Sequence, residues 1–289
     1  MIWEIFITPF EEFGFLRRAL LGCIAVSIGA TPVGVFLMLR RMSLTGDAMA
    51  CAILPGAAVG YLISGLSLGA MTIGGLIAGM AVALLSGFVS RVTALREDAS
   101  LAAFYLISLA IGVLIISMRG SNVDLMHVLF GTVLALDNAA LILLCSIASV
   151  SILVLAVLFR PLVLECADPQ FLRSVSQLSA TTHLTFLALV VLNLVGGFHA
   201  LGTLMAVGIM ILPAAGAKFW ANSFGGLIAS AVFIAVLSSF CGLLLSYHFN
   251  LPSGPAIILA AGIVYGASLV AGPVGGLLAG SLPRSSHET

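Results

Sequence analysis

Apolar positions in this chain come in long unbroken runs, separated by short polar intervals, with no regular alternation. The runs cover about residues 17–39, 47–64, 66–90, 98–118, 138–160, 183–200, 201–217, 222–247 and 255–272. Most approach the roughly 20 apolar residues that a helix needs to cross a bilayer. Membrane strands would instead show alternating segments of about ten residues. The pattern predicts an all-α, polytopic helical membrane protein with eight to nine transmembrane helices, residues 1–289 forming one transmembrane domain. The choice between eight and nine rests on 183–217, too long for one span and almost without a loop. Gly196, Gly197, His199 and Gly202 predict a sharp reversal there, and Pro213 predicts a further break.

Composition reinforces the class. Of 289 residues, 61% are hydrophobic and 8% charged, where soluble domains are about half apolar and a quarter charged. A net charge of zero argues against nucleic acid as a partner, and the apolar runs make membrane lipid the surroundings. The opening "MIWEIFITPFEEF" has three glutamates and no basic stretch, so it reads as mature protein, not as a signal peptide. Basic residues then set an orientation. With nine spans, Arg40, Arg41, Arg91, Arg96, Arg160, Arg173, Lys218 and Arg284 share one side. Under the positive-inside rule that side is cytoplasmic. The N-terminus is then outside and the C-terminus, with a flexible tail over 273–289, inside.

Two polar intervals stand apart. The outer one, 119–138, is partly apolar and suited to lie on or dip into the membrane. The inner one holds "ADPQFLRSVSQL", read as a short helix capped by Asp168 with Pro169 at its first position. Lying along the cytoplasmic face, it would meet a soluble partner.

The strongest candidate chemistry lies in "RRMSLTGDAMACAILPG", residues 40–56. Asp47 opens the second span, and Cys51 follows four residues later on the same helical face. Pro55 has no N–H, which removes the usual donor to the Cys51 carbonyl. Carboxylate and thiolate suit a borderline-soft divalent cation such as zinc, and a symmetric dimer would double the set. The plainer alternative is that Asp47 caps a helix and Cys51 is packing. Cys23, Cys145 and Cys241 read as small buried hydrophobes, and the five cysteines contain no CxxC pair. His199, beside the glycines of the reversal, is a weaker candidate for an ion path, as are His127 and His248. Neither GxSxG nor GxxxxGK[ST] occurs, so ATP-driven transport would need another chain to bind the nucleotide.

In these residues the chain resembles the permease subunits of zinc and manganese ABC importers of the ZnuB type. The basic pair with "MS" and "GDA", "VDLMHVLFG" (123–131), "DPQFLRSVSQL", "GTLMAVGIMILPAAGA" (202–217) and "LPSGPAIIL" (251–259) follow family order over nearly the whole chain. Family members usually carry His where this chain has Cys51. That exchange keeps a ligand and softens it, which favours zinc over manganese. Ser176 and Gly216 also replace the usual Gly and Thr.

The resemblance implies an ABC metal-importer permease fold and a subunit that is not itself an enzyme and holds no cofactor. It implies a homodimer in the bacterial plasma membrane, two ATPase subunits on the cytoplasmic face and an extracytoplasmic metal-binding protein. Asp47 and Cys51, with His199, would form the transient ion path. The segment 161–182, with Asp168, Pro169, Phe171 and Arg173, would couple to the ATPases. An ATP-independent secondary transporter or channel is the alternative, but it would normally need more ionisable groups in mid-membrane than Asp47.

Overall fold

The computed structural model describes residues 13–65, 67–93, 97–118, 133–167 and 178–277. Its helices are α1 (Gly14–Leu39), α2 (Ser43–Ala52), α3 (Leu54–Ser64), α4 (Leu68–Val92), α5 (Glu97–Met118), α6 (Asn138–Ala167), α7 (Leu178–Leu201), α8 (Thr203–Ala217), α9 (Phe224–Phe249) and α10 (Ser253–Ala271). Among the described residues eight helical stretches are long and apolar enough to cross a membrane. Ser43–Ser64, which is α2 continued by α3, counts as one of them, and α8 is a shorter apolar helix.

The expected reversal in 183–217 falls at Gly202, whose φ of 89° is a left-handed value that suits glycine. A Cβ placed on Gly197 would stand 2.6 Å from the Ala206 Cβ. In a continuous helix those residues would be about 13 Å apart along the axis, so α8 folds back along α7. Helix ends pair as an alternating path through nine segments requires. Phe13, before α1, lies with its ring 5.7 Å from Tyr247, near the end of α9. At the opposite pole, Trp220, just after α8, donates its indole N–H to Ser268 of α10 at 2.9 Å.

Four expectations are corrected. Pro213 does not break α8, which runs through it. Proline removes the donor to the carbonyl four residues earlier, and the Thr31 hydroxyl of α1 donates to that Ile209 carbonyl at 3.2 Å. The span expected to stop at Arg160 continues through Pro161 to Ala167, anchored by buried Leu162 and by Glu165, which pairs with Arg40. The second span begins at Ser43, so Asp47 sits inside α2 and is not its cap. Cys23 is buried as expected, but Cys145 is on an exposed face of α6.

Packing is centred on α1, 72% of whose most apolar window is buried, against 22% for α5 and α6 at the periphery. Between helices in lipid, small residues replace the hydrophobic drive by allowing close backbone approach. Gly34 of α1 lies directly against the Met210 carbonyl of α8, and Gly56 of α3 and Gly74 of α4 each abut the other's carbonyl. Gly75 and Gly79 accept Ile53, Val191 and Val195. Gly262 and Gly266, although spaced alike, have open space beside them. Asn193 of α7 donates at 2.8 Å to Ser151 of α6 within this interior.

Candidate functional site

The short connection between α1 and α2 fixes where the candidate station begins. Arg41 takes the left-handed conformation at φ 59°, and the Met42 amide donates to the Leu37 carbonyl at 2.9 Å. This six-to-one bond is the Schellman closure of a helix end. From that turn α2 rises among α1, α4, α5, α7 and α8. Thr45, Gly46, Ala48, Met49, Ala50 and Ala52 form its buried face. Leu44, Asp47 and Cys51 form the other, with Leu44 and Asp47 exposed and Cys51 half-buried. The chain thus turns a carboxylate and a thiol outward on one stripe, four residues apart, as their spacing predicts.

Above Cys51 the helix is interrupted at Ile53, and α3 restarts with Pro55 in its first turn. The Cys51 carbonyl, without a donor from Pro55, meets the Ile53 amide. Ser108 of α5 donates to the neighbouring Ala52 carbonyl at 3.0 Å. One turn further along α5, Gly112 lies so close that a Cβ there would be 3.0 Å from the Pro55 nitrogen. Ser108 and Gly112 therefore seat the joint that holds Cys51. A lone serine and glycine in an apolar run carry no sequence signal for that role. Ser108→Ala is expected to cost about 0.6 kcal/mol, the average for a hydrogen bond between membrane helices. It should be read as faster amide exchange confined to residues 51–57. Unchanged exchange there would show that the hydroxyl does not hold the joint.

The His199 backbone stands at a different level of the bundle from Asp47. Gly75 contacts both Ile53 and Val195, which sets those two levels equal along the bundle. At 1.5 Å rise per residue, the His199 backbone lies roughly 15 Å beyond Asp47 along the axis. Among the described residues no group of three or more His, Cys, Asp and Glu side chains could hold a metal ion. Among the described residues, Asp47 and Cys51 are thus the candidate pair that one copy brings onto one stripe. Asp168, Pro169, Phe171 and Arg173 of the expected coupling segment lie outside the described residues, as does His127.

The residues flanking that segment are described. Arg40, closing α1, pairs with Glu165 of α6. Its Nη2 also lies 3.2 Å from Nδ1 of His183 on α7. The guanidinium carbon stands 4.9 Å from the centre of the Phe186 ring, within cation–π range. The basic pair was legible in the sequence as an orientation signal, but its partners, far away along the chain, were not.

Comparison with known proteins places this arrangement. Residues 12–272 match the model of the ABC 3 transport family. The manganese import system permease protein ScaB of Streptococcus parasanguinis is 32% identical over 94% of this chain and 96% of its own. The manganese transport system membrane protein MntC of Listeria innocua is 32% identical over 95% of this chain and 96% of its own. Among solved structures, PsaBC from Streptococcus pneumoniae in complex with Fab superposes with a TM-score of 0.83 and 30% identity, covering 95% of this chain and 98% of that one. With the family model spanning nearly all of the sequence, the chain belongs to the ABC 3 transport family.

Proposed function

We propose that this chain is the permease subunit of an ATP-driven importer for a divalent transition-metal ion in the bacterial plasma membrane, with manganese as the ion carried. The observation that carries the reading is the outward stripe of Asp47 and Cys51 on α2 in a chain of this family. A carboxylate left facing lipid is costly, so the stripe calls for water or a partner. A second copy facing it supplies one: two carboxylates and two thiols then converge on a path between the copies. The relatives named above as manganese permeases support manganese. Cys51 supports zinc as the second reading, because thiolate is a softer donor and suits zinc better.

Each copy would dock one ATPase subunit through the cytoplasmic segment around Asp168, Pro169, Phe171 and Arg173, with the N-terminus outside. An extracytoplasmic protein would deliver the ion. ATP-driven closure of the ATPases would open the outer mouth, and the ion would pass Asp47 and Cys51 before hydrolysis resets the path. The station must hold the ion loosely enough to release it, and two donors per copy suit that need.

The test is uptake into proteoliposomes holding this permease with its ATPase subunit and a loaded binding protein. Manganese and zinc are offered separately, with and without ATP. Uptake of manganese that requires ATP and the ATPase subunit is expected. Uptake that continues without them would favour a channel or secondary transporter, and exclusive zinc uptake would overturn the manganese assignment.

A further inference from the structure

The Arg40 cluster lies apart from the ion station, and nothing in the proposed path uses it. Its side chains bracket one stretch of sequence: Glu165 precedes 168–177 and His183 follows it. Arg40 touches both, and it sits in the turn from which α2 rises. Asp47 lies seven positions further on, and only Arg40, Arg41 and Met42 link α1 to α2. One guanidinium thus joins both roots of the inner segment to the base of the helix that bears the station.

The electrostatics argue against a purely stabilising role. The Arg40 and Glu165 side chains are only 8% and 10% exposed, and taking both charges out of water is repaid only when their remaining valences are satisfied. Among the described residues, buried Nη1 of Arg40 and Oε2 of Glu165 find no hydrogen-bond partner. A bridge built for stability alone would be better completed or replaced by apolar side chains. Arginine's planar fork can engage a carboxylate and an imidazole at once, which lysine's point charge does less well.

We propose that Arg40 is a positioning residue that transmits movement of the inner segment to α2, by holding Glu165 and His183 together against the root of that helix. The proposal rests on the reading that 161–182 is where the ATPase docks. Displacement of either root pulls on the α1–α2 turn, and Asp47 and Cys51 move with it.

The test uses the complete importer in proteoliposomes, with manganese uptake and ATP hydrolysis measured together for Arg40→Gln, Arg40→Lys and the double variant Arg40→Gln/Glu165→Gln. The double variant leaves no buried charge unpaired, so it carries the measurement if Arg40→Gln fails to assemble. The ATPase is expected to stay bound and active in the glutamine variants, while manganese delivered per ATP falls roughly tenfold, equivalent to one decade in a rate ratio. Arg40→Lys, which keeps the charge without the fork, should fall between. A wild-type ratio in the double variant, or hydrolysis and uptake falling in step, would show that the cluster only supports assembly. A separate arm, Phe171→Asp, asks whether the ATPase still co-purifies. If it does, the docking reading fails, whatever the ratio in the Arg40 variants.

Discussion

Asp47→Asn is expected to abolish most metal uptake, by about tenfold or more, while the permease still assembles with its ATPase. Asparagine keeps the shape and one carbonyl oxygen but loses the charge that attracts a divalent ion, and ~1.4 kcal/mol added to the crossing barrier already gives a tenfold loss. Because Asp47 lies within α2 on an exposed stripe, the substitution disturbs no cap and little packing. A loss of uptake therefore reads on the ion. Cys51→His is expected to retain uptake and move preference toward manganese, since imidazole is a less soft donor than thiolate. Cys51→Ser should weaken uptake of both ions. Competition between manganese and zinc in the same vesicles measures the preference. Wild-type uptake by all three variants would remove Asp47 and Cys51 from the path.

The second large effect is structural. Gly34→Val should unfold or severely destabilise the protein, by about 3 kcal/mol or more. That figure is the upper part of the usual range for overpacking. The cost is high because the nearest atom to the added carbon is the Met210 backbone carbonyl, which cannot rotate aside as a side chain does. Gly56→Val and Gly74→Val should act similarly, each forcing α3 from α4. At this chain length, a melting temperature in detergent should drop by roughly 5–10 °C. Gly262→Ala is the control: its Cβ meets nothing, and the melting temperature should not move. A Gly34→Val protein that melts like the wild type would show that α1 and α8 are less closely apposed than described.

These glycines mark where the sequence is legible and where it stops. The glycine pairs Gly56/Gly60, Gly75/Gly79 and Gly262/Gly266 share one spacing, yet the first two face neighbouring helices and the third faces open space. Periodicity shows that a backbone can approach another but not that one is there. Apolar runs gave the all-α class, the spans and the reversal near Gly202, because each depends only on nearby residues. The helix start at Ser43 follows the local turn closed at Arg41 and Met42, whereas the passage through Pro213 has a distant cause. Distant groups override local preference, as when the Thr31 hydroxyl replaces the amide that Pro213 lacks. Asp47 and Cys51 were legible because their spacing is short and charge is rare in this chain. Ser108, Gly112 and the partners of Arg40 were not, since each matters through a contact with a helix remote in sequence.

The three-residue link between α1 and α2 has a consequence for how such a sequence can vary in length. Its conformation is closed by a bond from Met42 back to Leu37, with Arg40 committed to Glu165 and His183 on either side of it. Adding one residue would rotate α2 by about 100° about its own axis, turning Asp47 off the exposed stripe and burying it among apolar side chains. Insertions and deletions should therefore be excluded between Leu39 and Ser43 in any functional variant. A library of random single-codon insertions across the gene, selected for growth on scarce manganese, should show a gap there.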